Sequence, residues 1–130
     1  MPEHQLPFGV IRIIHRDIAE VIIDEGAIMD AKMVAQYHEF LLNNLTPPFS
    51  LLINKINSYN YIFKSHKELA PLKEINAIAL VIYKSSKIAT ELLASYPRKE
   101  KWKFNTFTDC DTALHWLEEE QYPVRGYAKI

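Results

Sequence analysis

The first half of the chain carries two strand patterns followed by a helical pattern. Residues 10–15 and 19–24 are rich in β-branched side chains, and the three residues between them have the length of a hairpin connection. From Asp30 onward, apolar residues recur every three or four positions, which predicts a helix with Asp30 as its N-cap. Gly26 allows a turn before this helix, and Pro47-Pro48 prevents the helix from continuing.

The second half of the chain alternates short apolar runs with helical spacing. Residues 51–53 and 77–83 are continuous apolar runs, which are typical of parallel strands covered on both faces. A serine stands where the helical spacing begins after each run, and a proline ends that spacing. These residues are Ser58 with Pro71, and Ser85 or Ser86 with Pro97.

The last predicted elements are an edge strand and a helix. Trp102, Phe104 and Thr106 alternate with their neighbours, as expected for a strand at the edge of a sheet. Thr108 and Asp111 have the spacing of a capping box, which predicts a helix start there, with Cys110 facing inward. The apolar residues after this helix recur at no clear helical or strand spacing.

The elements follow the order β-β-α-β-α-β-α-β-α, which predicts a single α/β domain. Its sheet is expected to be mixed and five-stranded, with a leading antiparallel hairpin and with helices packed on the sheet. The core spans about residues 10–120, and residues 121–130 form a C-terminal tail. No repeat or linker divides the chain, so we expect one core.

This order resembles the STAS (sulfate transporter and anti-sigma factor antagonist) fold, and it is most similar to an uncharacterised bacterial STAS/SEC14-like group. The likeness is carried by the stretches Ala77-Ile78-Ala79-Leu80-Val81-Ile82, Phe104-Asn105-Thr106-Phe107-Thr108-Asp109 and Ala113-Leu114-His115-Trp116-Leu117. The resemblance implies a regulatory or protein-interaction module without catalysis. The SEC14-like members imply binding of an apolar or lipid-like ligand as an alternative function.

The resemblance also points to one serine. In anti-sigma factor antagonists of this fold, a serine that opens the helix after the third strand is phosphorylated, within an Asp-Ser pattern. Ser58 occupies the matching position in this chain, but Asn57 stands where the aspartate is expected and no glycine follows. A phosphorylation switch at Ser58 is therefore one of two readings, and a simple helix cap is the other.

Composition and charge exclude several classes of protein. The formal net charge is -1 and no long basic block is present, so we expect no nucleic-acid partner. The longest apolar run is only as long as a strand and is far shorter than a membrane-spanning helix, so we expect no membrane span. The single Cys110 cannot form an internal disulfide and the N-terminal residues lack a secretory signal pattern, so we expect a cytoplasmic protein.

The sequence predicts no catalytic, cofactor or metal site. Only three glycines are present and each is isolated, so no phosphate-binding loop can be drawn. The five histidines include no pair at helical spacing, and Asp111, His115, Glu118 and Glu119 are interpreted as a solvated helix face. Cys110 is interpreted as a buried small residue, so we expect that the chain is not an enzyme.

One candidate site lies where two neighbouring parallel strands are predicted to end. Lys55 and Ser58 follow the first strand, and Lys84-Ser85-Ser86-Lys87 follows the second. Helix N-termini and lysines at this edge would favour an anion, although serines that merely cap helices explain the same pattern. The alternative function is therefore a carrier or sensor of a small anionic or lipid-like ligand.

Self-association is a further expectation. Trp102 stands on the predicted edge strand, and the tail carries apolar residues without an obvious place in one core. Both features are typical of a surface that another copy covers, so we predict a homodimer. A protein partner of unknown identity is expected in addition.

Overall fold

The structure is a computed structural model that describes residues 3–57, 59–61, 72–83 and 103–122. The strands are β1 Glu3–Leu6, β2 Gly9–His15, β3 Ile18–Ile23, β4 Ile28–Met29, β5 Phe49–Lys55, β6 Asn60–Tyr61, β7 Ile75–Ile82 and β8 Lys103–Phe107. The helices are α1 Ala31–Asn44 and α2 Cys110–Gln121. The helices predicted to begin at Ser58 and at Ser85 or Ser86 lie outside the described residues.

A mixed six-stranded sheet organises the described part of the chain. Its strands lie in the order β1-β2-β3-β5-β7-β8, and β4 pairs separately with β6. β1 pairs antiparallel with β2, and β2 pairs antiparallel with β3, whereas β3, β5, β7 and β8 run parallel to one another. The predicted α/β class, the leading hairpin and the mixed sheet are therefore confirmed.

The predicted number of strands was wrong, because the sheet has six strands instead of five. The additional strand, β1, pairs with β2 so that Glu3 faces Arg12 and Leu6 faces Gly9. Its sequence Glu-His-Gln-Leu contains one aliphatic residue, so it shows no hydrophobic alternation. This strand forms because β2 offers a free edge next to the two-residue connection.

The apolar runs form the inner strands, as predicted. Leu51, Leu52 and Ile53 are all buried in β5, and Ala77 to Ile82 are buried in β7. Each of these strands has a neighbouring strand on both sides, and its side chains alternate between the two hydrophobic clusters, so they are covered on both faces of the sheet. β8 pairs with β7 alone among the described strands, which confirms the predicted edge strand. Trp102 lies outside the described residues.

Helix α1 covers one face of the sheet. Asp30 is its N-cap, as predicted, and its Oδ1 accepts a hydrogen bond from the backbone N–H of Met33 at 2.8 Å. Val34, Tyr37 and Leu41 recur at helical spacing and are buried against the main core. Gly26 has a φ of 77°, a left-handed conformation that glycine adopts without steric cost in the turn before this helix.

Helix α2 covers part of the opposite face. Ala113 and Leu117 are buried against a second cluster that includes Ile18, Leu52 and Ala79. The predicted cap was wrong by one residue, because Asp109 and not Thr108 is the N-cap.

The Asp109 carboxylate explains this position of the helix start. It accepts hydrogen bonds from both the backbone N–H and the hydroxyl of Thr112, at 2.8 and 3.0 Å. A carboxylate can accept both bonds and also suits the positive end of the helix dipole. These bonds to the carboxylate lower the pKa of Asp109.

Candidate functional site

The predicted anion site is described only in part. β5 and β7 are parallel neighbours in which Lys55 faces Ile82, so their carboxyl ends lie together at one edge of the sheet. Lys55 Nζ lies 3.5 Å from the centroid of the Tyr59 ring. Burial lowers the pKa of Lys55, while the charge of Glu25 acts in the opposite direction. Five other members of the predicted site lie outside the described residues, namely Ser58, Lys84, Ser85, Ser86 and Lys87.

A second arrangement at this end of the sheet was not predicted. Four polar side chains form hydrogen bonds from strand to strand, and we call this set the polar row. Its members are Arg12 on β2, Glu20 on β3, Asn54 on β5 and Tyr83 directly after β7. Each strand of the row is the neighbour of the next in the sheet, so the row crosses four strands.

Glu20 is the centre of the polar row. It is only 6% exposed, so its carboxylate needs partners that compensate for the loss of water. Arg12 Nη1 donates to Glu20 Oε1 at 2.7 Å, and Asn54 Nδ2 donates to Glu20 Oε2 at 2.9 Å. Both carboxylate oxygens are therefore bound. Arg12 also forms an ion pair with Glu3 on β1, with Nε 3.3 Å from Oε2.

Tyr83 extends the polar row to helix α2. Its hydroxyl donates to Asn54 Oδ1 at 2.8 Å and lies 3.5 Å from Cys110 Sγ. Loss of water around the phenol, together with the Cys110 thiol and the charge of Glu20, raises the pKa of Tyr83 to about 12. Tyr83 is therefore a neutral hydrogen-bond donor at physiological pH.

The polar groups of the row form hydrogen bonds mainly with one another. Asn54 accepts from Tyr83 and donates to Glu20, and Glu20 is bound through both oxygens. Arg12 Nε is buried without a hydrogen bond and lies 3.3 Å from the Glu3 carboxylate. The other bonds of the row fix neighbouring strands in one register, because a shift would leave buried polar groups without partners. The geometry of the row supports its role as a rigid framework.

Two large side chains with apolar surface are exposed at this end of the sheet, and one of them is Tyr83 of the polar row. Ile56 is 59% exposed and Tyr83 is 48% exposed. They directly follow Lys55 and Ile82, which face each other on β5 and β7. We call this pair the strand-end surface. Exposed apolar side chains at the ends of two neighbouring strands are more informative than isolated ones, because exposed apolar patches are typical of interaction sites.

The other end of helix α2 is held by a second polar cluster. Gln121 accepts from Ser50 Oγ at 2.5 Å and from Asn76 Nδ2 at 3.1 Å, and it donates to Asp17 Oδ2 at 3.2 Å. The Tyr122 hydroxyl donates to Asp17 as well. Burial and the hydrogen bond to Asp17 raise the pKa of Tyr122 to about 12. This cluster fixes the end of α2 on the sheet.

Two glutamates on the acidic face of α2 contact histidine side chains. Glu118 Oε2 lies 2.9 Å from His15 Nε2, and Glu119 Oε2 lies 3.2 Å from His115 Nε2. In the part of the chain that the structure describes, no three residues of the types His, Cys, Asp and Glu are gathered in a way that could hold a metal ion. Cys110 is a half-buried free thiol whose sulfur contacts Tyr83.

The stability of the fold is expected to fall as the pH rises from about 10 to about 12. Tyr83 and Tyr122 ionise near pH 10 in the unfolded chain and near 12 in the fold, so the unfolded chain binds fewer protons in this range. Both side chains are nearly half exposed, so the loss should be modest. Urea unfolding at about pH 9 and about pH 11 measures it.

The control for this pH dependence is the double variant Tyr83→Phe with Tyr122→Phe. Phenylalanine cannot ionise, so the double variant should lose less stability than the unsubstituted chain between the two pH values. An equal loss in both proteins would contradict the assignment to these tyrosines.

Comparisons with known proteins do not assign the chain. No protein-family model matches it, and searches of curated proteins and of solved structures found no match. None of the described helices is long and apolar enough to cross a membrane. The STAS-like resemblance therefore stays a prediction from the sequence.

Proposed function

We propose that the chain is a non-catalytic, STAS-like regulatory or protein-interaction module that binds a protein partner through the strand-end surface. The observation that supports this proposal is the exposure of Ile56 and Tyr83 at the ends of adjacent parallel strands. Tyrosine is among the residues that contribute most to binding energy in protein interfaces. The carboxyl ends of parallel strands are also the usual place for binding in open α/β sheets.

The polar row makes this surface suitable for binding. The Tyr83 hydroxyl is bound to Asn54, and Asn54 is bound to the buried Glu20, so the ring is held in position before a partner arrives. A side chain that is already ordered loses less conformational entropy on binding. The STAS-like resemblance gives independent support, because its regulatory serine position, Ser58, lies two residues after Ile56.

The substitution Ile56→Asp tests this proposal. The partner is first captured with the unsubstituted chain. A charge at the centre of an apolar contact should then raise the dissociation constant of this partner about tenfold or more. The matched control is Leu42→Asp, since Leu42 is 41% exposed on α1. Titration calorimetry with the purified partner should show full affinity for the control. Equal affinity of both variants would contradict a partner site at Ile56.

The alternative proposal is a carrier or sensor of a small anionic or lipid-like ligand. Its support is Lys55, a half-buried lysine at the carboxyl end of β5. The Lys55 ammonium group makes a cation–π contact with the Tyr59 ring. NMR amide spectra recorded during a phosphate titration separate the two proposals. Chemical-shift changes at Lys55 and Tyr59, together with unchanged binding of protein partners by Ile56→Asp, would favour the ligand carrier.

A further inference from the structure

Two apolar side chains of the sheet belong to neither hydrophobic cluster. Val10 on β2 and Ile22 on β3 face each other in the antiparallel pair, and both are half-buried. Their neighbours Ile11 and Val21 belong to the cluster under α1, so Val10 and Ile22 point to the opposite face of the sheet, the face of α2. The described residues therefore leave these two side chains without an apolar layer above them.

Helix α2 lies over the other half of this face. It packs on β5, β7 and β8. Right-handed crossovers are expected to bring the remaining connections to the face of α1, because β3, β5, β7 and β8 follow one another in the same direction across the sheet. Tyr59 and Leu72, from the connection between β5 and β7, pack against the cluster under α1. The chain after α2 is therefore the segment best placed to cover β2 and β3.

The end of α2 directs the chain toward β2 and β3. The Tyr122 hydroxyl donates to Asp17, which directly precedes β3. The Tyr122 ring also contacts His15 at the end of β2, with ring centroids 5.9 Å apart. Pro123 follows, and a proline favours extended backbone at the residue before it. The chain therefore leaves α2 beside the start of β3, and it can continue there as an extended segment.

We propose that residues 123–130 lie extended over β3 on the face of α2, where they cover Val10 and Ile22. An extended segment rises by the same distance per residue as a strand. The contact of Tyr122 with Asp17 therefore sets which residues meet when this segment runs in the direction of β3. Every second residue of the segment meets one residue on this face, and the pairs are Pro123 with Ile18, Arg125 with Glu20, Tyr127 with Ile22 and Lys129 with Asp24.

The side chains of these four pairs are complementary. Two pairs bring apolar or aromatic side chains together, and the other two bring a basic side chain to a carboxylate. A shift of the segment by two residues would place Arg125 on Ile18 or on Ile22, so both charge pairs would be lost. The same alternation turns Val124 away from the sheet. The register set by Tyr122 is therefore the one that the charges favour.

The charges on β1 and β2 favour a second cation at this place. Glu3 and Glu20 share the guanidinium of Arg12, with Nε 3.3 Å from Glu3 and Nη1 2.7 Å from Glu20. Arg12 Nε is buried and donates no hydrogen bond. Two carboxylates beside one guanidinium leave a local negative charge, which Arg125 would compensate.

This inference is separate from the proposed partner surface, because it concerns the face above β2 and β3 and not the strand ends. The segment of the same chain is the favoured occupant, because its attachment to α2 keeps it at a high effective concentration beside β3. A segment exchanged between two copies would make the same contacts between molecules, and the test detects this outcome.

Nuclear Overhauser contacts in the full chain test the proposal. We expect cross-peaks between the ring of Tyr127 and the methyl groups of Val10 and Ile22, within one copy of the chain. Spectra of a mixture of labelled and unlabelled chains show whether the contacts lie within one copy or between two. Absence of these cross-peaks, or cross-peaks that arise only between two copies, would overturn the proposal.

Two aspartate substitutions in the same segment provide a matched comparison. Tyr127→Asp places a charge against Ile22, so the methyl resonances of Val10 and Ile22 should shift. Val124→Asp introduces the same charge on the side that points away from the sheet, so both methyl resonances should stay in place. Amide spectra of β5 and β7 report whether each variant keeps the fold. Equal methyl shifts in the two variants, or none in Tyr127→Asp, would contradict the register.

Discussion

Replacing Leu80 with alanine should lower the free energy of unfolding by about 2 to 5 kcal/mol. Leu80 is 1% exposed and lies in β7, where its backbone faces Ile53 of β5 on one side and Thr106 of β8 on the other. Neighbours on both sides prevent the sheet from closing over the cavity, so most of the lost packing is not recovered. Urea unfolding at neutral pH measures the difference.

The control for Leu80 is the same substitution at a surface position. Leu42 is 41% exposed on α1, so Leu42→Ala removes the same atoms with little burial. Its expected cost is below about 1 kcal/mol. A comparably small cost for Leu80→Ala would mean that β7 is peripheral, which contradicts its position in the sheet.

The inner strands could be predicted because their signal is local. A strand covered on both faces needs an uninterrupted apolar run, and residues 51–53 and 77–83 carry one. β1 could not be predicted in this way, because its four residues are mostly polar and become a strand only by pairing with β2. The start of α2 was displaced because Thr108 and Asp109 are both good caps, and hydrogen bonds to Thr112 select Asp109.

The polar row shows the limit of the sequence more clearly. Arg12 and Glu20 lie 8 residues apart, Asn54 lies 34 residues after Glu20, and Tyr83 lies 29 residues after Asn54. Their meeting depends on the order and register of four strands, which no single segment encodes. The signal that does exist is a charged residue between apolar neighbours in each of the first two strand patterns, namely Arg12 and Glu20, since a buried polar group must find a partner.

Lys55 shows what could be predicted about the candidate site. The adjacency of the carboxyl ends of β5 and β7 followed from two consecutive parallel strands, and the pairing of Lys55 with Ile82 confirms it. The strand-end surface was missed because Tyr83 stands at the end of the apolar run 77–83, and because Ile56 is a single apolar residue among polar neighbours. Their exposure depends on where the strands end relative to the helices, which the sequence pattern does not specify.

Replacing Glu20 with methionine should lower the free energy of unfolding by about 3 kcal/mol. The substitution keeps most of the side-chain volume but removes the acceptor for Arg12 and for Asn54. The amide of Asn54 is then buried without its acceptor, and Arg12 keeps only the ion pair with Glu3. The matched control is Glu3→Gln, which alters an exposed carboxylate and should cost less than about 0.5 kcal/mol.

A double-mutant cycle separates loss of the charge pair from loss of packing. The variant Arg12→Met with Glu20→Met removes both charges, and an apolar pair of similar volume often replaces a buried ion pair with little loss. We therefore expect the double variant to unfold at a higher urea concentration than Glu20→Met alone, because it also removes the guanidinium that has lost its hydrogen bond to Glu20. Costs that simply add, with the double variant as unstable as the sum of the two single variants, would show that Arg12 and Glu20 do not stabilise the fold as a pair.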